Sequence, residues 1–269
     1  MLAIAFRLTN VFIFFMYHSD VWPGDCGLRW CKSRDMYVSH LDLAQNYARF
    51  ERGHYRTTPH RHYAIEVVMS HSGRFSVQIG EEEFPNIAAA IIPSNCRHMF
   101  DATDAYCEIW FIDPLSALGK AVRERFLMAN EPLAIPKQSV VVQLLHDVNV
   151  CGEEQGLQEP EVAASGVDPR ILRCLYTIDE QLPYAPLHIS DLCDFAYLSE
   201  SRLSHLFTEQ LGISVRQYVL WRRVFQAVTK ARSGFSLTQA AHAAGFVDSA
   251  HFSRVFSSMF GVAPRFALK

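Results

Sequence analysis

The feature that most constrains this chain is an internal repeat near its carboxyl end. The segment LSHLFTEQLG, residues 203–212, aligns with FSRVFSSMFG, residues 252–261, at a constant offset of 49 residues. The matched residues include Ser199 and Asp248 at the helix-capping position, Ser204 and Ser253, Phe207 and Phe256, and Gly212 and Gly261. Each copy predicts a short helix, a tight turn and a second helix, which is the arrangement of a helix-turn-helix unit.

The second helix of each copy has one apolar face and one face of small or hydrogen-bonding residues. The apolar residues are Leu203, Leu206 and Phe207 in the first copy and Phe252, Val255, Phe256 and Met259 in the second. The candidate DNA-contacting residues are Ser201, Ser204, His205 and Thr208 in the first copy and Ser249, Ala250, Ser253 and Arg254 in the second. A helix that enters a major groove needs such a face, because bulky side chains would hold it away from the base edges. The alternative is a pair of helical hairpins with ordinary solvated faces.

A connecting helix is predicted between the two copies, from a cap at Ser214 to about Arg232. At 1.5 Å per residue it would be roughly 27 Å long, which would hold two recognition helices near the ~34 Å spacing of successive major grooves. The basic residues that are candidates for phosphate contacts are Arg216, Arg222, Lys230 and Arg232. A solvated surface is the alternative role for each of them.

Charge is distributed unevenly along the chain. Residues 187–269 contain nine Lys or Arg and five Asp or Glu, a net charge of +4. The remaining 186 residues contain 16 basic and 23 acidic residues, a net charge of −7, so that the overall value is −3. A small basic module attached to an acidic partner is what a phosphate-binding unit on a separate sensor would have, although a solvated surface also explains an excess of this size.

The middle of the chain, from Tyr63 to Asp113, has the pattern of short strands separated by turns. Residues 75–79 alternate apolar and polar, residues 88–92 form a short apolar run, and residues 108–112 form another. This pattern predicts a β-sandwich or a small barrel.

A helix is predicted after this region, from a cap at Asp168 to Leu182, with Pro169 at its first position. Its apolar residues Ile171, Leu172, Leu175, Ile178 and Leu182 fall on one face. Such a face serves either a dimer contact or relay, or packing in the core. The Gly-, Pro- and Glu-rich stretch 152–166 predicts a loop or linker before it.

The seven cysteines are scattered without CxxC spacing, which favours reduced thiols and a cytoplasmic protein. They are Cys26, Cys31, Cys96, Cys107, Cys151, Cys174 and Cys193. The apolar stretch from Leu2 to Tyr17 is interrupted by polar residues and is too short to span a bilayer, so no membrane association is expected. A weak signal peptide, or a true start at Met16, would also explain this stretch.

The carboxyl-terminal pattern resembles the AraC/XylS family of bacterial transcription regulators over residues 187–269. The residues that match the second unit are Gly245, Phe246, Asp248, Phe252, Arg254, Phe256, Gly261 and Pro264. Those that match the first unit are Leu192, Leu198, Ser199, Leu203, Phe207, Gly212, Tyr218, Arg223 and Ala227. His205 stands where the family commonly has Arg.

The resemblance implies an α+β chain, in which a cupin-like β-barrel is followed by linker helices and an all-α double helix-turn-helix DNA-binding domain. The expected division is an amino-terminal extension at 1–27, a cupin-like sensor at 28–114, a helical linker or dimerisation region at 115–183, and the DNA-binding domain at 184–269. The resemblance also implies a homodimer with RNA polymerase as a further partner.

The sensor region contains two segments that look like cupin motifs, from Gly53 to Gly73 and from Pro93 to His98. In such motifs two histidines, a glutamate and a later histidine can bind a divalent metal, and the matching residues here are His60, His62, Glu66 and His98. A straight strand would separate His62 from Glu66 by about 13 Å, so the chain must bend between them for a joint site. A metal-free effector pocket, or a structural role, is the alternative.

Together these patterns predict a sequence-specific DNA-binding transcription regulator, an activator or a repressor, whose cupin-like domain senses a small-molecule effector. No catalysis is needed for this function, because a ligand acts through its different affinities for two states. Two alternatives remain: a metal-dependent cupin enzyme fused to a DNA-binding tail, and an architectural or partner-binding protein.

Overall fold

A computed structural model describes residues 40–43, 47–127, 131–152, 166–182 and 187–267. Several sequence predictions therefore lie outside the described residues: the extension 1–27, which contains Cys26, then Cys31, most of the linker 152–166, and the domain boundary at residues 183–184.

The described part of the amino-terminal half forms two antiparallel sheets. Their strands are β1 (His40–Leu43), β2 (Tyr47–Gly53), β3 (Ile65–Gly73), β4 (Phe75–Ile79), β5 (Glu82–Ile87), β6 (Ala89–Ile92), β7 (His98–Asp101) and β8 (Ala105–Ile112). The five-stranded sheet has the order β1-β2-β8-β3-β6 and the three-stranded sheet the order β5-β4-β7. The predicted strands at 75–79, 88–92 and 108–112 are confirmed, but the closed barrel is not: Gly73, with φ of 73°, ends β3 in one sheet before β4 begins in the other.

The five-stranded sheet is buried on both faces. On the face toward the second sheet, Val68 and Ile109 pack in one core with Val77 and Phe100. The opposite face, which includes Val67, packs against two helices, α1 (Ala117–Phe126) and α2 (Gln138–Gly152). Because successive residues of a strand point to opposite faces, burial on both explains why Val67, Val68 and Met69 are consecutive apolar residues in β3.

The carboxyl-terminal half is helical. Its helices are α3 (Pro169–Gln181), α4 (Ile189–Ala196), α5 (Glu200–Leu211), α6 (Val215–Arg232), α7 (Leu237–Ala243), α8 (Ser249–Phe260) and α9 (Pro264–Ala267). The predicted caps are confirmed, since Asp168 accepts from the Arg170 amide at the start of α3 and Ser214 accepts from the Gln217 amide at the start of α6. The apolar face of α3 is buried against the rest of the chain, mainly α4 and α5, which is the core-packing alternative.

The 49-residue offset of the repeat is retained by the second helix of each copy. Helices α5 and α8 have the same length, and each begins after a capping side chain, Ser199 or Asp248. Each ends at a glycine in the left-handed region, Gly212 with φ of 70° and Gly261 with φ of 66°. Glycine suits this position because it has no Cβ to clash in that conformation. The two helix-turn-helix units are therefore α4–α5 and α7–α8.

Within the described ranges, no helix is both long and apolar enough to span a membrane. The thiols of Cys96, Cys107, Cys174 and Cys193 are free. The side chain of Cys151 lies outside the described part of the chain.

The cap at Asp248 supports a stability prediction for the second unit. Asp248→Ala removes the oxygen that accepts from the His251 amide at 2.6 Å, so we expect α8 to lose about 1 kcal/mol of stability. Amide hydrogen exchange in the first turn of α8 measures this loss. Asp248→Asn keeps an acceptor and is the control; equal exchange in the wild type and Asp248→Ala would contradict the prediction.

Candidate functional site

The exposed faces of α5 and α8 carry the predicted DNA-contacting residues. In α5, Ser201, His205 and Thr208 are exposed and Ser204 is partly buried. In α8, Ala250 and Arg254 are exposed, while Ser249 and Ser253 are partly buried. On the inner faces Leu203, Leu206, Phe207, Phe252 and Phe256 are buried, and Val255 and Met259 are partly buried. The amphipathic pattern predicted for both helices is therefore confirmed, and small polar side chains flank one long side chain in each.

The hydrogen bonds of these faces bear on what they can recognise. The Ser253 hydroxyl donates to the Ser249 carbonyl at 2.7 Å, so its oxygen remains available only as an acceptor. His205 lies one turn from Glu209, with 4.0 Å between Nε2 and Oε2. The exposed guanidinium of Arg254 offers planar paired donors, which is the geometry that matches guanine O6 and N7.

One of the four predicted phosphate contacts has another role. Arg216, Lys230 and Arg232 are exposed, but Arg222 is half-buried, with its Nε 2.6 Å from Oδ1 of Asp179 in α3. Burial raises the pKa of Asp179 to about 6, although Arg222 acts in the opposite direction. Arg222 thus joins α6 to α3, a contact that sequence spacing does not reveal.

The four sequence-predicted residues of the sensor lie together in its interior. His60, His62, Glu66 and His98 are all buried, and their potential ligand atoms lie within 4.8 Å of one another. The expected bend is present, since His62 precedes the start of β3 at Ile65. As a result Nε2 of His62 lies 3.0 Å from Oε2 of Glu66, and Nε2 of His98 lies 2.9 Å from the same oxygen. We call this group the histidine cluster.

Each imidazole of the histidine cluster is oriented by a backbone carbonyl. The Nδ1 atoms of His60, His62 and His98 lie 2.9, 3.0 and 3.1 Å from the carbonyl oxygens of Thr58, Ala64 and Cys96. A carbonyl can only accept, so Nδ1 carries the hydrogen in each ring, and in His62 and His98 the other nitrogen, Nε2, faces Glu66. Histidines that bind metals are held in this way.

The electrostatics of the histidine cluster favour a bound cation. Burial, with a smaller contribution from the neighbouring His98, lowers the pKa of His60 to about 3. Burial alone would raise the pKa of Glu66, but His98 and His62 outweigh it and the pKa is lowered. Burial would lower the pKa of His98, but Glu66 outweighs it and the pKa is raised. A proton on Nε2 of His98 therefore satisfies one contact of the carboxylate, whereas Nε2 of a neutral His62 faces the same oxygen as a lone pair.

A divalent ion would relieve all the contacts at once, so the residues present fit such a group. Three imidazole nitrogens and one carboxylate oxygen suit zinc, iron, nickel or copper. When bound, such an ion supplies a Lewis acid and polarises the ligands that reach it.

The sensor and the helices share an interface beside the histidine cluster. Tyr63 packs against Tyr218 of α6 with 5.4 Å between ring centroids, and Phe111 packs against Phe260 of α8 at 4.9 Å. His62 lies 6.3 Å from Trp221, again between ring centroids. One core therefore continues from the sheets into the helices.

A cleft of about 340 Å³ opens at this interface. Arg61 and Arg97 line it from the sensor, and Leu220, Trp221 and Met259 line it from the helices. Among the described residues that line it there is no carboxylate. Sequence reasoning missed this cleft because its two walls are more than a hundred residues apart in the chain.

The comparisons with known proteins agree with this arrangement. Residues 192–269 match the family described as a helix-turn-helix domain. The arabinose operon regulatory protein of Escherichia coli (strain K12) is 33% identical over 99 residues, which cover 36% of this chain and 34% of that protein. The HTH-type transcriptional activator RhaR of Cronobacter sakazakii is 35% identical over 81 residues, which cover 30% of this chain and 29% of that protein. The match thus spans about a third of the length of these relatives.

The fold likeness extends further than the sequence likeness. ToxT from Vibrio cholerae O395, in its crystal structure with (E)-4-(8-methylnaphthalen-1-yl)but-3-enoic acid bound, is 17% identical with a TM-score of 0.52. The alignment covers 83% of this chain and 98% of ToxT, and at this identity it concerns the fold alone. Residues 192–269 of this chain therefore form a helix-turn-helix domain similar to those of these regulators, joined to sheets in a mixed α+β fold like that of ToxT.

Proposed function

We propose that this chain is a sequence-specific DNA-binding transcription regulator, whose helices α5 and α8 read successive major grooves of duplex DNA. The observation that carries this proposal is the repeat: two helices of equal length, 49 residues apart, each with a buried apolar face and an exposed face of small polar residues. The identity with the arabinose operon regulatory protein and with the transcriptional activator RhaR over the same segment supports it. An activator and a repressor are equally compatible with this geometry.

We further propose that the two-sheet domain, cupin-like in this view, responds to a small-molecule effector. It offers two adjacent binding places. The histidine cluster has the donor set for a divalent ion, and the cleft has two arginines beside apolar residues, which suits an organic anion with an apolar body. The ToxT structure contains a ligand of that second kind, an enoic acid.

A cytoplasmic homodimer that contacts RNA polymerase is part of the same proposal. In a homodimer, an effector would act by favouring one arrangement of the two protomers over another, which requires different affinities for the two arrangements. Light scattering of the full chain with and without DNA measures the number of protomers.

Arg254 and His205 occupy equivalent positions of the repeat, but we expect Arg254 to discriminate more strongly between DNA bases. Arg254→Ala should relax base preference at one or two positions of the binding site and cost about 1–3 kcal/mol at the preferred bases. The measurement is selection of sites from a random DNA library with the full chain. His205→Ala should change the selected sequence less, because an imidazole offers fewer donors than a guanidinium and lacks its planar pair.

Arg216→Ala is the matched control, since an exposed arginine on α6 that contacts phosphate should weaken all sequences alike and lower the salt dependence by about one unit. Footprinting of the wild type should protect two segments about one helical turn apart. A single protected segment, or an Arg254→Ala site identical to that of the wild type with uniformly weaker binding, would contradict the assignment.

The histidine cluster generates a metal-binding prediction. The full chain should bind one Zn²⁺ per molecule, and the double variant His60→Ala/His62→Ala should lose it, because two of four ligands are removed. Metal analysis after gel filtration measures the stoichiometry. His71→Ala changes a histidine of β3 outside the cluster and should retain the ion; stoichiometric Zn²⁺ in the double variant would exclude this site.

A metal-dependent cupin enzyme fused to a DNA-binding tail is the second candidate. The observation that favours it is the buried set of three histidines and one glutamate, since catalytic sites keep a coordination position for substrate. We propose no catalytic role, because the relatives over residues 192–269 are regulators. Turnover of a substrate by the metal-loaded chain that disappears in His62→Ala would favour the enzyme instead.

A further inference from the structure

The two recognition helices contact the sensor at equivalent points of the repeat. These points are the last residue and the glycine cap of each helix, Leu211 and Gly212 for α5 and Phe260 and Gly261 for α8. On the sensor side, the hydrogen bonds to these points come from Thr58 and Asn95, in the two segments that carry or flank the three histidines of the cluster. We call these the 57–62 loop and the 94–98 loop.

The path from the histidine cluster to α8 consists of two hydrogen bonds. Nδ1 of His60 donates to the Thr58 carbonyl at 2.9 Å, and the Thr58 amide donates to the Gly261 carbonyl at 3.1 Å. The fit is tight, because a Cβ on Gly261 would lie 2.8 Å from Nδ1 of His60 and 2.6 Å from Cβ of Thr57. Gly261, the cap of α8, therefore packs directly against His60 of the histidine cluster.

The path to α5 is equally short. The His62 carbonyl accepts from the Asn95 amide at 2.8 Å, and Nδ2 of Asn95 donates to the Leu211 carbonyl at 3.3 Å. Nδ2 also lies 3.1 Å from Oγ of Ser94, which holds the amide in place. A Cβ on Gly212 would lie 2.9 Å from Nδ2 of Asn95.

The two loops are joined to each other, so they move together. The His60 amide donates to the His98 carbonyl at 2.9 Å, and the His98 amide donates to the His60 carbonyl at 3.0 Å. An ion that draws the Nε2 atoms and Glu66 together must shift the imidazoles, and each imidazole is bonded through Nδ1 to loop backbone. In a close-packed interior, a shift of the imidazoles therefore also displaces the loop backbone that they contact.

We propose that a divalent cation bound in the histidine cluster is itself the regulatory signal. Its binding changes the position of the last turns of both recognition helices. This inference rests on the proposed function, since it requires α5 and α8 to bind DNA. It specifies the effector as a metal ion and the route as the Thr58–Gly261 and Asn95–Leu211 contacts. The ion changes DNA affinity because it favours one placement of the two helices.

The first experiment compares the full chain loaded with Zn²⁺ and stripped of it by a chelator. The DNA is a site selected from a random library with both forms, and fluorescence anisotropy gives Kd. Loading should change Kd by at least about fivefold, the lower end of typical allosteric coupling. Unchanged affinity in a chain that holds one Zn²⁺, or a failure to bind Zn²⁺, would overturn the inference.

Two variants interrupt the paths, and each has a control of matched backbone conformation. Asn95→Ala is paired with Asn86→Ala, because both asparagines have left-handed φ, 62° and 60°, and Asn86 is exposed on β5. Gly261→Ala is paired with Gly234→Ala, where φ is 98° and an added Cβ meets nothing within 4 Å. The path variants should bind Zn²⁺ and DNA but respond to the ion less than twofold, while the controls respond like the wild type.

Reciprocity supplies a second readout on the same proteins. DNA should change the affinity for Zn²⁺ by the same factor in the wild type and the controls, and by less than twofold in the path variants. Exchange of the Thr58 amide should slow on Zn²⁺ loading in the wild type. If Asn95→Ala responds to Zn²⁺ like the wild type, the proposed route through Asn95 and Leu211 is wrong. If Gly261→Ala does not fold, Asn95→Ala alone is sufficient for this test.

The outcomes separate this inference from the function on which it rests. DNA binding in both the loaded and the stripped chain, without a response to Zn²⁺, overturns the inference and leaves a DNA-binding regulator. Absence of DNA binding in both forms overturns the proposed function itself.

Discussion

The contact of Glu66 with His62 and His98 is the interaction on which the arrangement of the sensor depends. A buried carboxylate loses several kcal/mol of hydration, and it is tolerated only where partners replace the water. Both partners are themselves anchored through Nδ1 to carbonyls that flank the 57–62 loop and β7. One buried charge on β3 therefore positions the 57–62 loop and the start of β7.

The 57–62 loop and the 94–98 loop contact the carboxyl ends of helices α5 and α8. The core under them runs from Val68 and Phe111 in the sheets to Phe207 and Trp221 in the helices without interruption. The second unit is built differently, because α7, α8 and the end of α6 have a core of their own around Phe246 and Phe252. The first unit is thus part of the sensor's packing, whereas the second touches the sensor chiefly through Phe260 and Gly261.

Charge in the carboxyl-terminal region has two different uses. Arg222 is directed inward, where it pairs with Asp179 and lies near Tyr218, whose pKa is raised by burial. Arg216, Lys230, Arg232 and Arg254 remain exposed to solvent. A count of basic residues therefore overstates the charge offered to phosphate, because one of these side chains is needed to hold α3 on α6.

Local rules were enough to predict much of this protein from its sequence. The 3.6-residue periodicity, the caps at Asp168 and Ser214 and the glycines of the repeat determined the helices, because those preferences act over a few neighbouring residues. The strand at 75–79 followed from alternation in the same way. The spacing of His60, His62, Glu66 and His98 indicated a joint site, given a bend before β3.

Only the tertiary structure decided how these parts meet. The two separate sheets, the pairing of Arg222 with Asp179, the cleft beside Trp221 and the contacts of Asn95 and Thr58 with the recognition helices all join residues that are far apart in the chain. Such contacts depend on how whole elements pack, and no local pattern encodes them. The residues on the exposed faces of α5 and α8 and those of the histidine cluster were thus determined by the sequence, whereas the connection between them arose from packing.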